Sequence, residues 1–134
     1  MALVLPNQGE TINLEAMVGK TAGQNLVLRL NSSNTTPGES TTQADMTEAT
    51  FTGYSAITLT AASWSVTAGA PSTASYAQQT FTSSAGSQSQ AVYGYYLTQV
   101  TSGLLVWAER FTDGPYTIAN NGDTIKVTLN ITMA

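Results

Sequence analysis

The sequence predicts an all-β fold, an antiparallel β-sandwich of about seven or eight short strands with one short N-terminal helix. Three observations lead to this class. Apolar and polar residues alternate with a period of two in several segments, turn residues separate those segments, and no crossover helices lie between them. We therefore expect one domain over residues 1–134, with an N-terminal arm and helix over about 1–19 and a long loop over about 31–48.

One helix is predicted, over residues 12–18. Thr11 is placed to cap its N-terminus, and Gly19 is placed to end it because glycine readily adopts the left-handed conformation that follows a helix. The residues that share one face of this helix, and that we expect to form its apolar side, are Leu14, Met17 and Val18.

Strands are predicted from residue 26 onward, where alternating apolar, β-branched and aromatic residues dominate the chain. Residues 31–48 are rich in Ser, Thr, Asn, Gly and Pro and predict an exposed loop. Residues 83–90 hold only small and amide side chains and predict a flexible loop or contact tip. The predicted strands are 26–30, 51–60, 63–67, 76–82, 91–100, 104–110, 116–119 and 124–133.

Two hairpins are predicted in the C-terminal third. The turn 101–103 joins strands 91–100 and 104–110, and the turn 120–123 joins strands 116–119 and 124–133. The last strand is the most regular of all, because its apolar residues share one face and its polar residues share the other. The apolar face consists of Ile125, Val127, Leu129, Ile131 and Met133.

The chain carries few charges, with 9% charged residues and a formal net charge of −4. Its polarity comes from Ser, Thr, Asn and Gln, which another protein can cover without desolvating many ions. The β propensity of threonine explains the same composition. We expect no nucleic-acid or membrane partner, because no Lys/Arg cluster, signal peptide or apolar stretch of roughly 20 residues is present.

Catalytic chemistry is poorly supported by the residue types. The chain has no His and no Cys, which excludes the Ser/His/Asp and Cys/His nucleophile systems and ordinary Zn, Cu and haem sites. A carboxylate pair drawn from Glu109, Asp113 and Asp123 could hydrolyse a glycoside, but Glu109 adjoins Arg110 and both aspartates adjoin turn residues. We expect no enzymatic activity, no cofactor and no metal site.

An aromatic cluster marks the predicted hairpin 91–110. Alternation places Tyr93 and Tyr95 on one face of their strand and Tyr96 on the other, with Trp107 on the neighbouring strand. Such residues either pack between two sheets or serve as an interface, and we expect some of each. Together with the apolar arm they make up the candidate interface residues, which are Leu3, Val4, Leu5, Tyr93, Tyr95 and Tyr96.

Several segments resemble small proteins encoded among the virion structural genes of tailed bacteriophages. The resemblance covers most of the chain, but its motifs are structural, and no functional residue is carried over. The segments are Asn25-Leu26-Val27-Leu28-Arg29-Leu30, Val92-Tyr93-Gly94-Tyr95-Tyr96, Leu104-Leu105-Val106-Trp107-Ala108-Glu109-Arg110-Phe111, and the stretch 118–133.

This resemblance implies a virion protein made in the bacterial host cytoplasm, and it favours a capsid decoration or cement protein on the capsid surface. Its partners would be the phage major capsid protein and itself, as a homodimer or homotrimer. One alternative is a tail, baseplate or fibre component that binds a host surface glycan through exposed aromatic residues. Another is a hydrolytic virion enzyme that uses Glu109 and Asp113.

Overall fold

The computed structural model describes residues 3–133 and contains one α-helix and antiparallel sheets built from nine strands. This confirms the predicted mostly β class with one N-terminal helix. The helices are α1 Asn7–Met17 and the 3-10 turns Gln43–Asp45 and Ala61–Ser63. The strands are β1 Leu26–Asn31, β2 Ile57–Leu59, β3 Ser65–Thr67, β4 Ser72–Thr82, β5 Gln90–Val92, β6 Gly94–Gln99, β7 Leu105–Arg110, β8 Tyr116–Ile118 and β9 Thr124–Met133.

The strands form a four-stranded first sheet in the order β2-β1-β6-β7, a three-stranded second sheet in the order β3-β4-β9, and the pair β5-β8. Inward-facing side chains from all three pack into one apolar core, and each fully buried aliphatic or aromatic side chain contributes about 1.5–3 kcal/mol. The core residues include Leu28, Leu30, Leu59, Phe81, Val92, Leu97, Ile118, Ile125, Val127 and Leu129.

The hairpin of β6 and β7 confirms one of the two predicted strand pairs. Gly94 is opposite Arg110 at one end of this antiparallel ladder, and Thr98 is opposite Leu105 at the other. Gln99 donates its backbone N–H to the Leu104 carbonyl at 3.0 Å, which closes the predicted turn.

The predicted strand 91–100 is divided between two sheets, which corrects the sequence prediction. β5 ends at Val92 and pairs with β8, whereas β6 begins at Gly94 and lies between β1 and β7. Gly94 permits this close passage, because a Cβ there would lie 2.1 Å from the Glu109 carbonyl oxygen. A side chain at that position would force the strands apart.

The second predicted hairpin, of 116–119 with 124–133, is wrong. β8 pairs with β5, and β9 pairs with β4 from Thr124 opposite Thr82 to Met133 opposite Ser72. The turn 120–123 between β8 and β9 forms as its residues predict. The ten-residue β9 forms a long ladder with the eleven-residue β4, whereas the three-residue β8 pairs along its whole length with β5.

The predicted strand 51–60 is mostly irregular, and only β2 forms within it. Side-chain amides replace a neighbouring strand here. Gln90 Oε1 accepts the backbone N–H groups of Thr50 and Phe51 at 2.8 and 2.9 Å, and Gln88 Oε1 accepts that of Thr52 at 2.7 Å. Because these amides already satisfy the donors, the segment needs no ladder partner.

The helix begins five residues earlier than predicted, so Thr11 lies inside α1 and donates its hydroxyl to the Asn7 carbonyl at 3.0 Å. Gly19, with φ of 72°, follows the helix end as predicted. The expected apolar side is exposed, and the face with Gly9 lies toward β7 instead. The exposed side chains are Leu14, Met17 and Val18, at 59%, 71% and 74%.

The loop 31–48 is less exposed than its composition predicts. Asn31 lies buried at its start and organises it, since the Asn31 Oδ1 accepts the Ser33 and Thr47 backbone N–H groups at 3.1 and 3.0 Å. Met46 is buried beneath it, against Tyr96. The loop is therefore part of the folded body, although most of its residues remain in contact with solvent.

Candidate interaction surfaces

The arm residues Leu3, Val4 and Leu5 cover the outer edge of β7. Val4 donates its N–H to the Ala108 carbonyl at 2.8 Å and accepts the Ala108 N–H at 3.1 Å, which is a short antiparallel bridge. Leu3 packs against the main core, and the following Pro6 is buried. The arm thus has a partner within its own chain, and its predicted role as an interface with other proteins stays a prediction.

The first turn of α1 extends this cover along β7. Gln8 Oε1 accepts the Leu105 backbone N–H at 3.3 Å. Gly9 is buried so close to β7 that a Cβ at its position would lie 2.2 Å from the Val106 carbonyl oxygen. Backbone groups of Leu105, Val106 and Ala108 on β7 therefore face the arm or the helix.

The candidate interface tyrosines are divided between core and surface. Tyr95 and Tyr96 are 6% and 0% exposed, so their rings offer almost no surface to a partner. Tyr95 donates its hydroxyl to Glu109 at 2.7 Å. Burial raises the pKa of Tyr95, and it raises the pKa of Tyr96 to about 12. Tyr93 is half-buried, with the Arg110 guanidinium carbon 5.2 Å from its ring centroid.

Two arginines hold the long loop against the first sheet. Arg29 Nη1 lies 2.7 Å from Glu48 Oε2, and Tyr54 donates its hydroxyl to the other oxygen of this carboxylate at 2.8 Å. Arg110 donates to the Asn34 side chain and to the Thr35 carbonyl. These cations act within the fold, so they do not form a basic surface patch.

Each carboxylate that was considered for catalysis has a local structural partner. Glu109 accepts the Tyr95 hydroxyl, and Asp113 accepts that of Tyr116 at 3.4 Å. Asp123 accepts the backbone N–H groups of Asn120 and Ala119 at 2.7 and 2.9 Å, which hold its pKa below the usual value. Within residues 3–133, no three acidic side chains come together as a metal site would require.

An apolar groove lies between the C-terminal half of α1 and the ends of β3, β4 and β9, and we call it the α1–β9 groove. Three of its large apolar side chains are strongly exposed: Met17 at 71%, Val66 at 75% and Met133 at 67%. None of the described residues that line it is charged. Its other lining residues are Asn13, Ala16, Ser72, Thr73, Ala74, Trp107 and Ile131.

Sequence reasoning missed this groove because it placed Met17 and Met133 on core-facing sides of their elements. The available signal is position: Met17 is the last residue of α1, and Met133 is the last residue of β9. Apolar residues at the end of an element can extend past the core that covers the preceding residues.

No protein family, curated protein or solved structure matches the chain. No helix within residues 3–133 has the length and apolarity needed to span a bilayer. Among the described residues, the α1–β9 groove offers an uncharged and largely apolar surface suited to protein contact.

Proposed function

We propose that the chain is a structural component of a bacteriophage virion, a capsid decoration or cement protein that binds the outer shell and stabilises it. The virion setting rests on the resemblance of segments such as 92–96 and 104–111 to tailed-phage structural proteins. The observation that carries the binding role is the α1–β9 groove, where Met17, Val66 and Met133 are exposed.

The proposed partner at this groove is an apolar segment of the major capsid protein. An apolar segment is favoured because the uncharged lining would leave a charged partner group without a counter-ion after desolvation. Burying Met17, Val66 and Met133 fully would contribute about 1.5–3 kcal/mol for each side chain. Many copies on one shell would let such modest contacts act together.

The alternative of a glycan-binding tail, baseplate or fibre component receives less support. Sugar stacking requires open aromatic faces. Tyr95 and Tyr96 are buried, Tyr93 is half-buried under Arg110, and Tyr116 is 41% exposed. The groove contains one aromatic side chain, the half-buried Trp107, among aliphatic, thioether and small polar ones, and such a lining is better suited to a protein partner.

The test is cosedimentation of the purified chain with capsids of the phage that encodes it, using Val66→Lys. We expect Val66→Lys to weaken binding by at least ~10-fold, because it places a charge in the uncharged groove. Val100→Lys is the matched control, since Val100 is also exposed, at 50%, but does not line the groove.

Three results would refute the proposal. These are absence of the chain from purified capsids, its confinement to the tail, and binding that Val66→Lys and Val100→Lys change equally. Circular dichroism of both variants checks that each remains folded. Confinement to the tail would favour the glycan-binding alternative instead.

A further inference from the structure

The outer edge of β9 is the longest strand edge among the described residues that lacks a neighbour. β2, β3, β5 and β8 each have three residues, which limits what their free edges can pair with. The edge of β7 is covered by the arm and α1. β9 has ten residues and pairs on one side only, with β4.

Natural proteins protect exposed edge strands with proline, bulges, charges or a covering segment, because unpaired backbone groups attract another strand. β9 contains no proline or glycine, and the register shift of the β4–β9 ladder adds its extra residue to β4, between Tyr76 and Gln79. Lys126 is its single charged residue, and no ion pair within residues 3–133 engages it. The edge is regular and no described strand pairs with it, and a pocket separates its residues 130–133 from Leu3, Leu5 and Asn13.

We propose that a second copy of this chain pairs with this edge, β9 against β9 in antiparallel orientation, to form a two-fold symmetric dimer with a continuous six-stranded sheet. The two copies contribute β3-β4-β9 each. Backbone N–H and C=O groups on the free side of β9 would gain partners on both copies. This inference concerns the isolated chain and does not depend on the virion role.

Self-pairing fits because the two-fold axis stands perpendicular to the sheet and keeps each face on its own side. The buried residues Ile125, Val127 and Leu129 then extend one apolar layer across both copies. The exposed residues extend one polar layer. A foreign strand would need the same alternation by chance, whereas a second copy has it by identity.

Charge and overlap select the register. With the axis at Thr128, residues 124–132 pair, Thr128 faces Thr128 of the second copy, and Lys126 faces Asn130 of the second copy. Threonine pairs across strands are favourable. An axis at Lys126 would oppose two lysines and shorten the overlap, so the longer register also avoids the like-charge contact.

The first test measures mass by sedimentation equilibrium. We expect the purified chain to be a dimer and Asn130→Lys to weaken dimerisation by ~10-fold, because two Lys–Lys pairs would then face each other across the axis. Lys126→Glu combined with Asn130→Lys restores opposite charges and should restore the dimer. Thr58→Lys on β2 is the matched control, since Thr58 is also an exposed strand residue.

The second test uses the absence of cysteine from the natural sequence. Thr128→Cys should form a disulfide-linked dimer under mild oxidation, because directly opposed strand residues lie within reach of a disulfide. Thr58→Cys should not. A monomeric wild-type chain, a dimer unaffected by Asn130→Lys, or equal cross-linking of the two cysteine variants would each overturn the proposal.

Discussion

The outer edges of β7 and β9 differ in what lies beside them. β7 is covered by Val4, Gln8 and Gly9, which bond or closely contact its backbone. No described segment pairs with the outer edge of β9, and Leu3, Leu5 and Asn13 only line a pocket beside its residues 130–133. The burial patterns of the two strands also differ, because β9 alternates and β7 does not, but neither pattern explains the cover over β7. This cover arises from the N-terminal segment, almost one hundred positions before β7, which supplies the missing backbone partners.

The largest expected effect comes from breaking the cover over β7. A Cβ at position 9 would lie 2.2 Å from the Val106 carbonyl oxygen and 2.7 Å from Leu5 Cδ1. Gly9→Val must therefore push α1 off the sheet, and we expect a loss of about 2–3 kcal/mol in the free energy of unfolding. Urea denaturation followed by circular dichroism measures this loss.

Gly23→Val is the matched control, because no atom lies within 4 Å of a Cβ there. It should change the free energy of unfolding by less than about 0.5 kcal/mol. Similar losses in the two variants would mean that the Gly9 contact does not hold the helix on β7.

A smaller effect is expected at the bridge between the arm and β7. Val4→Pro removes the N–H that the Ala108 carbonyl accepts at 2.8 Å, and we expect a loss of about 1–2 kcal/mol. Hydrogen exchange should also show faster exchange of the Ala108 amide, whose acceptor is Val4.

Val4→Ala shortens the same side chain but keeps the backbone donor, so it separates the hydrogen bond from the packing of the arm. It should retain slow exchange at Ala108. Equal stability and equal exchange in the proline and alanine variants would contradict a bridging role for Val4.

The smallest expected effect concerns the start of β9, where Asp123 secures the preceding turn. Hydrogen bonds from Asn120 and Ala119 lower the pKa of the folded carboxyl. Its stabilising effect is therefore fully present above the unfolded value of about 3.9 and is lost as the pH falls through the lower, folded value.

Asp123→Asn should remove this pH dependence. Between about pH 6 and about pH 3, we expect the melting temperature of the wild-type chain to fall slightly more than that of Asp123→Asn. Thermal unfolding of both proteins at each pH measures the difference. Identical slopes would show that the carboxylate charge does not support the turn.

Sequence patterns predicted the elements that depend on near neighbours. The alternation over 124–133 gives β9 with the predicted bounds, and Gly19 follows the helix end because its backbone adopts a positive φ. The 101–103 turn predicts the β6–β7 hairpin, since a short turn forces its two flanking strands together.

Sequence patterns gave wrong predictions where side chains from distant segments decide whether a segment forms a strand or a residue becomes buried. The side-chain oxygens of Gln88 and Gln90 accept the backbone N–H groups of residues 50–52, and no local feature of either segment indicates this pairing. For the candidate surface, alternation correctly separates Tyr95 from Tyr96, but it does not predict that both become buried. Tyr96 is buried against Met46 of the loop 31–48, and Tyr95 is buried in the main core beside Phe111.

The sequence by itself determined the mostly β class, the single N-terminal helix and the scarcity of charge, because these follow from residue type and period-two alternation. Only the tertiary structure decided which strands are neighbours, which edge the N-terminal segment covers, and that Met17, Val66 and Met133 meet in one groove. The physical reason is that any partner of suitable length and shape can accept hydrogen bonds from the backbone donors and bury the apolar faces. The whole chain must therefore fold before one partner is selected.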